Sequence, residues 1–141
     1  MNLQFLAAEN ADIPMIFSQA KCLIDTYEDV SAIDYDKVLA WVHRKITEKI
    51  SEYRCVKLCG EKCAWYRFCE DGELDDLYVL PAFQNRGIGS EILEKCIAES
   101  ENTIYLYVFS RNTRAIAFYE RFGFSVRETV ANNRYIMALK G

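Results

Sequence analysis

A chain of 141 residues, 51% hydrophobic and 13% aromatic, is long enough for one domain with its own core and too short for two. Its net charge of -4 withholds the basic footprint that general nucleic-acid binding needs. The expectation is a protein with no nucleic-acid or membrane partner: no apolar run reaches the length of a bilayer span, and the N-terminus lacks the basic and apolar blocks of a signal peptide.

In chain order, LQFLAA (3–8) reads as a first strand. Residues 10–27 read as a helix, because Ile13, Ile16, Phe17, Ala20, Leu23 and Ile24 recur at helical spacing and Pro14 falls in the first turn. A polar connector, 28–34, leads to a second helix over 35–50 with Val38, Leu39, Val42 and Ile46 as its stripe. Residues 52–80 read as three strands turning at Gly60 and Gly72, an antiparallel meander. The segment PAFQNRGIGSEIL (81–93) then converts a strand into a helix whose apolar face is Ile92, Leu93, Cys96 and Ile97. NTIYLYVFS (102–110) is a strand too apolar for a wet face and is expected to be buried and central. NTRAIAFYERFGF (112–124) reads as a short helix ending at Gly123, and the last residues as two strands joined by ANN (131–133). The expected fold is one α+β domain over 1–141, ordered βααβββαβαββ, with a mostly antiparallel mixed sheet and helices on both faces.

Six cysteines invite a disulfide or zinc reading, and four of them crowd into CVKLCGEKCAWYRFC (55–69). None of these has the two-residue spacing of a zinc knuckle, and the single histidine, His43, lies elsewhere. They are read as small apolar residues kept reduced in a cytoplasm, with no metal implied.

The glycine segment leaves backbone N–H groups unpaired at a helix start, a nest suited to a phosphate. It lacks the Gly-Lys-Ser/Thr of a P-loop, and Ile92 stands where a dinucleotide fingerprint needs a third small residue. Alone it reads as a tight turn. Asn112, 23 residues after Gly89, shares a helix face with Ala115 and Tyr119 at i, i+3 and i+7, although spacing alone favours an ordinary core aromatic for Tyr119.

Together the loop, its helix, the strand YLYVF and NTRAIAFYERFGF resemble the GNAT superfamily of acyl-CoA-dependent N-acetyltransferases, over roughly the C-terminal two-thirds of the chain. The resemblance implies that Gln84, Asn85, Arg86, Gly87, Ile88, Gly89 and Ser90 hold the pyrophosphate of acetyl-CoA, with Arg86 adding a charge-assisted contact. It implies that Leu77, Tyr78 and Val79 pair with the pantetheine arm, and that this strand splays from YLYVF to form a divided central pair. Asn112 matches a cofactor-contacting asparagine, and Tyr119 the tyrosine that protonates the departing thiolate.

An amine with a pKa near ~10.4 must also lose a proton before it attacks. Tyr107 stands where some family members carry a glutamate and cannot take that proton at neutral pH. Glu73 matches a glutamate used by others on the earlier strand; Asp75 is expected on its face of the strand and Asp76 on the opposite one. A solvated acidic hairpin, or a water chain with no single base, competes with that reading. Asp25, Glu28, Asp29, Asp34 and Asp36 surround the connector that borders the acceptor site in this superfamily, where they would attract a cationic amine or simply form a solvated loop. The expected activity is transfer of acetyl from acetyl-CoA to a small-molecule or peptide amine by direct attack. The alternative is a non-catalytic acyl-CoA sensor or scaffold, and a homodimer is left open.

Overall fold

Alternating apolar side chains build the first layer. In the computed structural model, which describes residues 1–139, β1 (Leu3–Ala7), β2 (Arg54–Leu58), β3 (Glu61–Phe68) and β4 (Leu74–Val79) form an antiparallel sheet in the order β1-β2-β3-β4. The β2–β3 turn places Cys59 and Gly60 at φ 52° and 81°, the paired left-handed conformation that suits a tight hairpin. At Gly72 a side chain is excluded outright, since a Cβ would lie 2.2 Å from the Thr103 carbonyl oxygen.

A second antiparallel sheet holds β5 (Tyr105–Phe109), β6 (Phe124–Val130) and β7 (Arg134–Leu139) in the order β5-β7-β6. The two sheets meet at one parallel bridge, Glu73 with Tyr105, where Tyr105 N–H donates to Gly72 O at 3.0 Å. Beyond it no ladder joins β4 to β5 among the described residues, so the central pair is splayed and the adjoining backbone edges are left open.

The sheet faces sort the cores. Cys55, Trp65 and Tyr78 pack under α1 (Ile13–Tyr27) and α2 (Tyr35–Lys49), together with buried Ile16 and Ile46. On the other face Val56, Ala64, Tyr66 and Leu74 meet Ile88, Ile92, Leu93 and Cys96 of α3 (Ile88–Glu99), and α4 (Thr113–Arg121) packs into the same cluster. The βααβββαβαββ order is as the sequence predicts.

Two local features differ from expectation. The first helix opens with a short 3-10 turn, Asn10–Asp12, because Asp12 reaches back to accept from Glu9 N–H at 2.8 Å. Asp12 is only 2% exposed and is held 2.6 Å from Lys62 of β3. Most telling, β5 does have a wet face: its open edge at the splay leaves Tyr107 48% exposed. The cysteines are all free; Cys55, Cys63 and Cys96 are buried and Cys22 and Cys59 exposed.

Candidate active site

The glycine loop owes its shape to two left-handed residues, Asn85 at φ 64° and Gly87 at φ 83°, the latter capping α3. The first helical bond runs from Glu91 N–H to Gly87 O at 3.1 Å. The N–H groups of Ile88, Gly89 and Ser90 therefore precede it with no protein acceptor among the described residues. A helix start of this kind concentrates positive potential where those groups converge.

The side chains around the loop bond to one another and to the strand before it. Gln84 Nε2 donates to Val79 O at 3.1 Å, and Arg114 of α4 donates to Gln84 Oε1 at 3.3 Å and Asn85 Oδ1 at 2.9 Å. Gln84 and Asn85 thus fix the loop, and Arg114 brings a guanidinium to it. Arg86 lies over the Phe83 ring, 5.5 Å from its centroid, and is not part of the cleft wall. Gly89 is helical, and a Cβ there would make ordinary contact with Phe118 at 3.5 Å, so the protein's own packing does not demand a glycine.

A cleft of about 720 Å³ opens between this loop and α4. It brings together Leu77, Val79, Gln84, Asn85, Gly87, Ile88, Gly89, Ser90, Asn112 and Tyr119. Tyr78 turns to the opposite face, where its hydroxyl donates to Asp76 at 2.8 Å. Asn112 caps α4, its Oδ1 accepting from Ala115 N–H at 3.1 Å; its Nδ2 has no protein acceptor among the described residues.

A second cleft, about 560 Å³, lies among α1, α2, β4 and β5, and Asn112 and Tyr119 line both. The Tyr119 ring is half-buried against Phe118 and Phe124. Its hydroxyl has no hydrogen-bond partner among the described residues, and burial, reinforced by Cys96 and Asp76, pushes its pKa well above that of a free phenol. It stays protonated, a donor without a protein acceptor.

Glu73 lines the second cleft just ahead of β4. Its half-buried carboxylate makes no hydrogen bond or ion pair among the described residues, and burial first, then Asp75 and Asp71, raises its pKa. The expected separation of Asp75 from Asp76 does not hold. A bulge opposite Arg67 and Phe68 puts one extra residue in β4, and Lys45 Nζ reaches both carboxylates, at 2.8 and 3.1 Å. Asp76 also accepts from Tyr53 and Tyr78, and Asp75 from Arg67 at 2.8 Å. Burial opposes the charge on Lys45, but Asp76 and Asp75 outweigh it and raise its pKa. This part of EDGELDD is a part-buried network rather than a solvated edge.

Cys69, Asp71 and Glu73 place donor atoms within 4.8 Å of one another. Asp71 is already taken by Tyr105 OH at 2.7 Å and Glu73 N–H at 3.0 Å. Burial pushes the pKa of the Cys69 thiol up to about 11.

Four of the five acids around the connector are engaged within the protein, and Asp36 is exposed. Asp25 accepts from Lys21 and Tyr35, Asp29 and Asp34 cap short helical starts, and Glu28 accepts from Asn133 and Arg134 of the second sheet. The sequence reading missed Lys45, Trp41, Arg114 and Arg121 as cleft residues. Arg114 and Arg121 had a signal: with Phe118 they fall at i, i+4 and i+7, one face of α4.

Residues 15–124 match the family model described as the Acetyltransferase (GNAT) family. Among curated proteins, the chain is 39% identical over 70 residues to the [ribosomal protein bS18]-alanine N-acetyltransferase of Salmonella typhimurium, a stretch covering 47% of this chain and 47% of that protein. It spans less than half the length of the curated relatives it matches. Among solved structures, the PaiA N-acetyltransferase of Thermoplasma acidophilum in complex with coenzyme A superposes with a TM-score of 0.74 at 16% identity, covering 100% of both chains. YncA of Salmonella typhimurium with its cofactor acetyl-CoA gives a TM-score of 0.64 at 19% identity, over 99% of this chain and 94% of that one.

Proposed function

The chain belongs to the GNAT acetyltransferase family, and on that premise we propose that it moves an acetyl group from acetyl-CoA to a primary amine by direct attack. The observation that carries the proposal is the position of Tyr119. Tyr119, whose hydroxyl has no partner among the described residues, lines both the cleft with the open helix start and the cleft holding an unpaired carboxylate. A sensor needs only the first cleft; a transferase needs both, with a proton donor at the junction.

In this reading the pyrophosphate of acetyl-CoA is held by the N–H groups of Ile88, Gly89 and Ser90 with Arg114 beside them, and Asn112 Nδ2 donates to the arm. The acceptor enters through the second cleft as an ammonium and gives a proton to Glu73. The amine nitrogen then attacks the thioester carbonyl carbon, the C–S bond breaks, the departing thiolate takes the proton of Tyr119, and the second proton of the attacking nitrogen returns to the Tyr119 oxygen as the neutral amide forms. The raised pKa of Tyr119 keeps the phenol protonated until the thiolate forms, and that of Glu73 makes it a better base than an exposed carboxylate.

The test is release of free thiol from acetyl-CoA across a panel of primary amines. Amine-dependent thiol supports the transferase. Tight binding of acetyl-CoA with no thiol released by any amine would identify the sensor instead.

A further inference from the structure

The charges lining the second cleft are compensated, with one exception. Lys45 is held by Asp75 and Asp76, and Arg67 adds a further bond to Asp75. Arg134 lies 3.5 Å from Glu28. Glu73 alone presents a carboxylate with no partner among the described residues, so the cleft has an uncompensated site for one cation and none for a second. Much of the remaining wall is apolar or aromatic. Trp41 of α2 and Tyr107 of β5 both line it while remaining 59% and 48% exposed. Rings of that size are usually covered by protein, and two left open beside a lone carboxylate match a ligand that is cationic at one end and flat at the other.

Building on the acetyltransfer reading above, we propose that the acceptor is a small primary monoamine with an aromatic body, its ammonium on Glu73 and its ring against Trp41 and Tyr107. A polyamine fits badly, because its second ammonium would enter a cleft in which every other acid is already taken, and would lose hydration without gaining a partner. A peptide N-terminus brings backbone amides that also need partners, and the apolar wall supplies few.

The experiment compares kcat/KM, by thiol release from acetyl-CoA, for 2-phenylethylamine, n-butylamine, spermidine and a short peptide with a free N-terminus. The expected result is a preference for 2-phenylethylamine of about tenfold or more, the usual worth of an apolar pocket contact. Trp41→Ala and Tyr107→Ala together should bring the ratio of 2-phenylethylamine to n-butylamine close to one. Because both rings are exposed, folding is not at stake, and Trp41→Leu with Tyr107→Leu gives a second, less drastic pair. Spermidine or the peptide as the best acceptor, or a ratio unmoved in both variants, overturns this inference and leaves acetyltransfer standing. Thiol release with none of the four amines overturns the acetyltransfer reading and this inference with it.

Discussion

The two clefts that meet at Tyr119 are built from different materials. The first centres on backbone: its open N–H groups belong to three successive residues of one loop, Ile88 to Ser90, faced by the short α4, with Leu23, Tyr27, Leu77 and Val79 completing the wall. The second is made of side chains gathered from α1, α2, β4, β5, α4 and β7. The difference separates binding a common group from choosing a substrate. A phosphate nest needs only a turn and a helix start, whereas a selective cavity needs side chains that the fold alone brings together.

The sharpest way to break this comparison is Glu73→Gln, which touches only the second cleft. As the base, Glu73 should cost roughly 10²–10⁴ in rate when lost, with acetyl-CoA binding retained. The wild-type rate should fall as pH drops through the carboxylate's pKa, which lies above the ordinary glutamate value because of burial and the neighbouring Asp75 and Asp71. The variant should lose that acid limb and recover part of its rate at high pH, where the amine is already neutral. A wild-type rate across the pH range would transfer the role to a water chain.

Gly89→Glu tests the first cleft in the same manner. A side chain at this position meets Phe118 only at ordinary contact distance, so the protein should fold, while the carboxylate occupies the anion nest. The rise in melting temperature given by acetyl-CoA should vanish. Gly72→Ala is the structural counterpart. With φ at 101° and the Thr103 oxygen 2.2 Å from a new Cβ, it should destabilise the fold by on the order of 3 kcal/mol, measured by urea unfolding. A Gly89→Glu protein that keeps its acetyl-CoA shift would remove the loop from the site.

Tyr119→Phe sits where the clefts meet. The hydroxyl has no protein partner to lose, so stability and acetyl-CoA affinity, by calorimetry, should hold while kcat drops by roughly 10²-fold. An unchanged kcat would reduce Tyr119 to a packing ring.

What the sequence reveals follows the same division. The loop, the strand before it and the Asn112–Tyr119 face are legible because each depends on residues within a turn or two of one another. Most of the second cleft is not. Lys45 meets Asp75 across 30 positions, and Glu28 meets Asn133 across 105. The bulge that swings Asp75 and Asp76 toward one lysine depends on how β4 pairs with β3, which alternation cannot foresee. The apolar run YLYVF suggested burial on both faces; Tyr107 is wet because its strand borders a splay, a property of the neighbouring sheet and not of the run itself.

The smallest predicted effect separates the two arginines near the nest. The sequence pointed to Arg86, which the fold stacks on Phe83; Arg114 lines the cleft itself, bonded to Gln84 and Asn85. Arg114→Ala should raise the KM for acetyl-CoA by about tenfold, the scale of one charge-assisted contact near the surface, and leave kcat nearly unchanged, since the pyrophosphate is bound equally before and during the reaction. The increase should shrink at high salt, because Arg114 is exposed and its field is screened over about 10 Å at 0.1 M. Arg86→Ala should move neither constant by more than about twofold. Steady-state kinetics of both variants at two ionic strengths decide it: an effect at Arg86 and none at Arg114 would mean that the loop rearranges when acetyl-CoA binds, and that the nest is formed by the ligand rather than waiting for it.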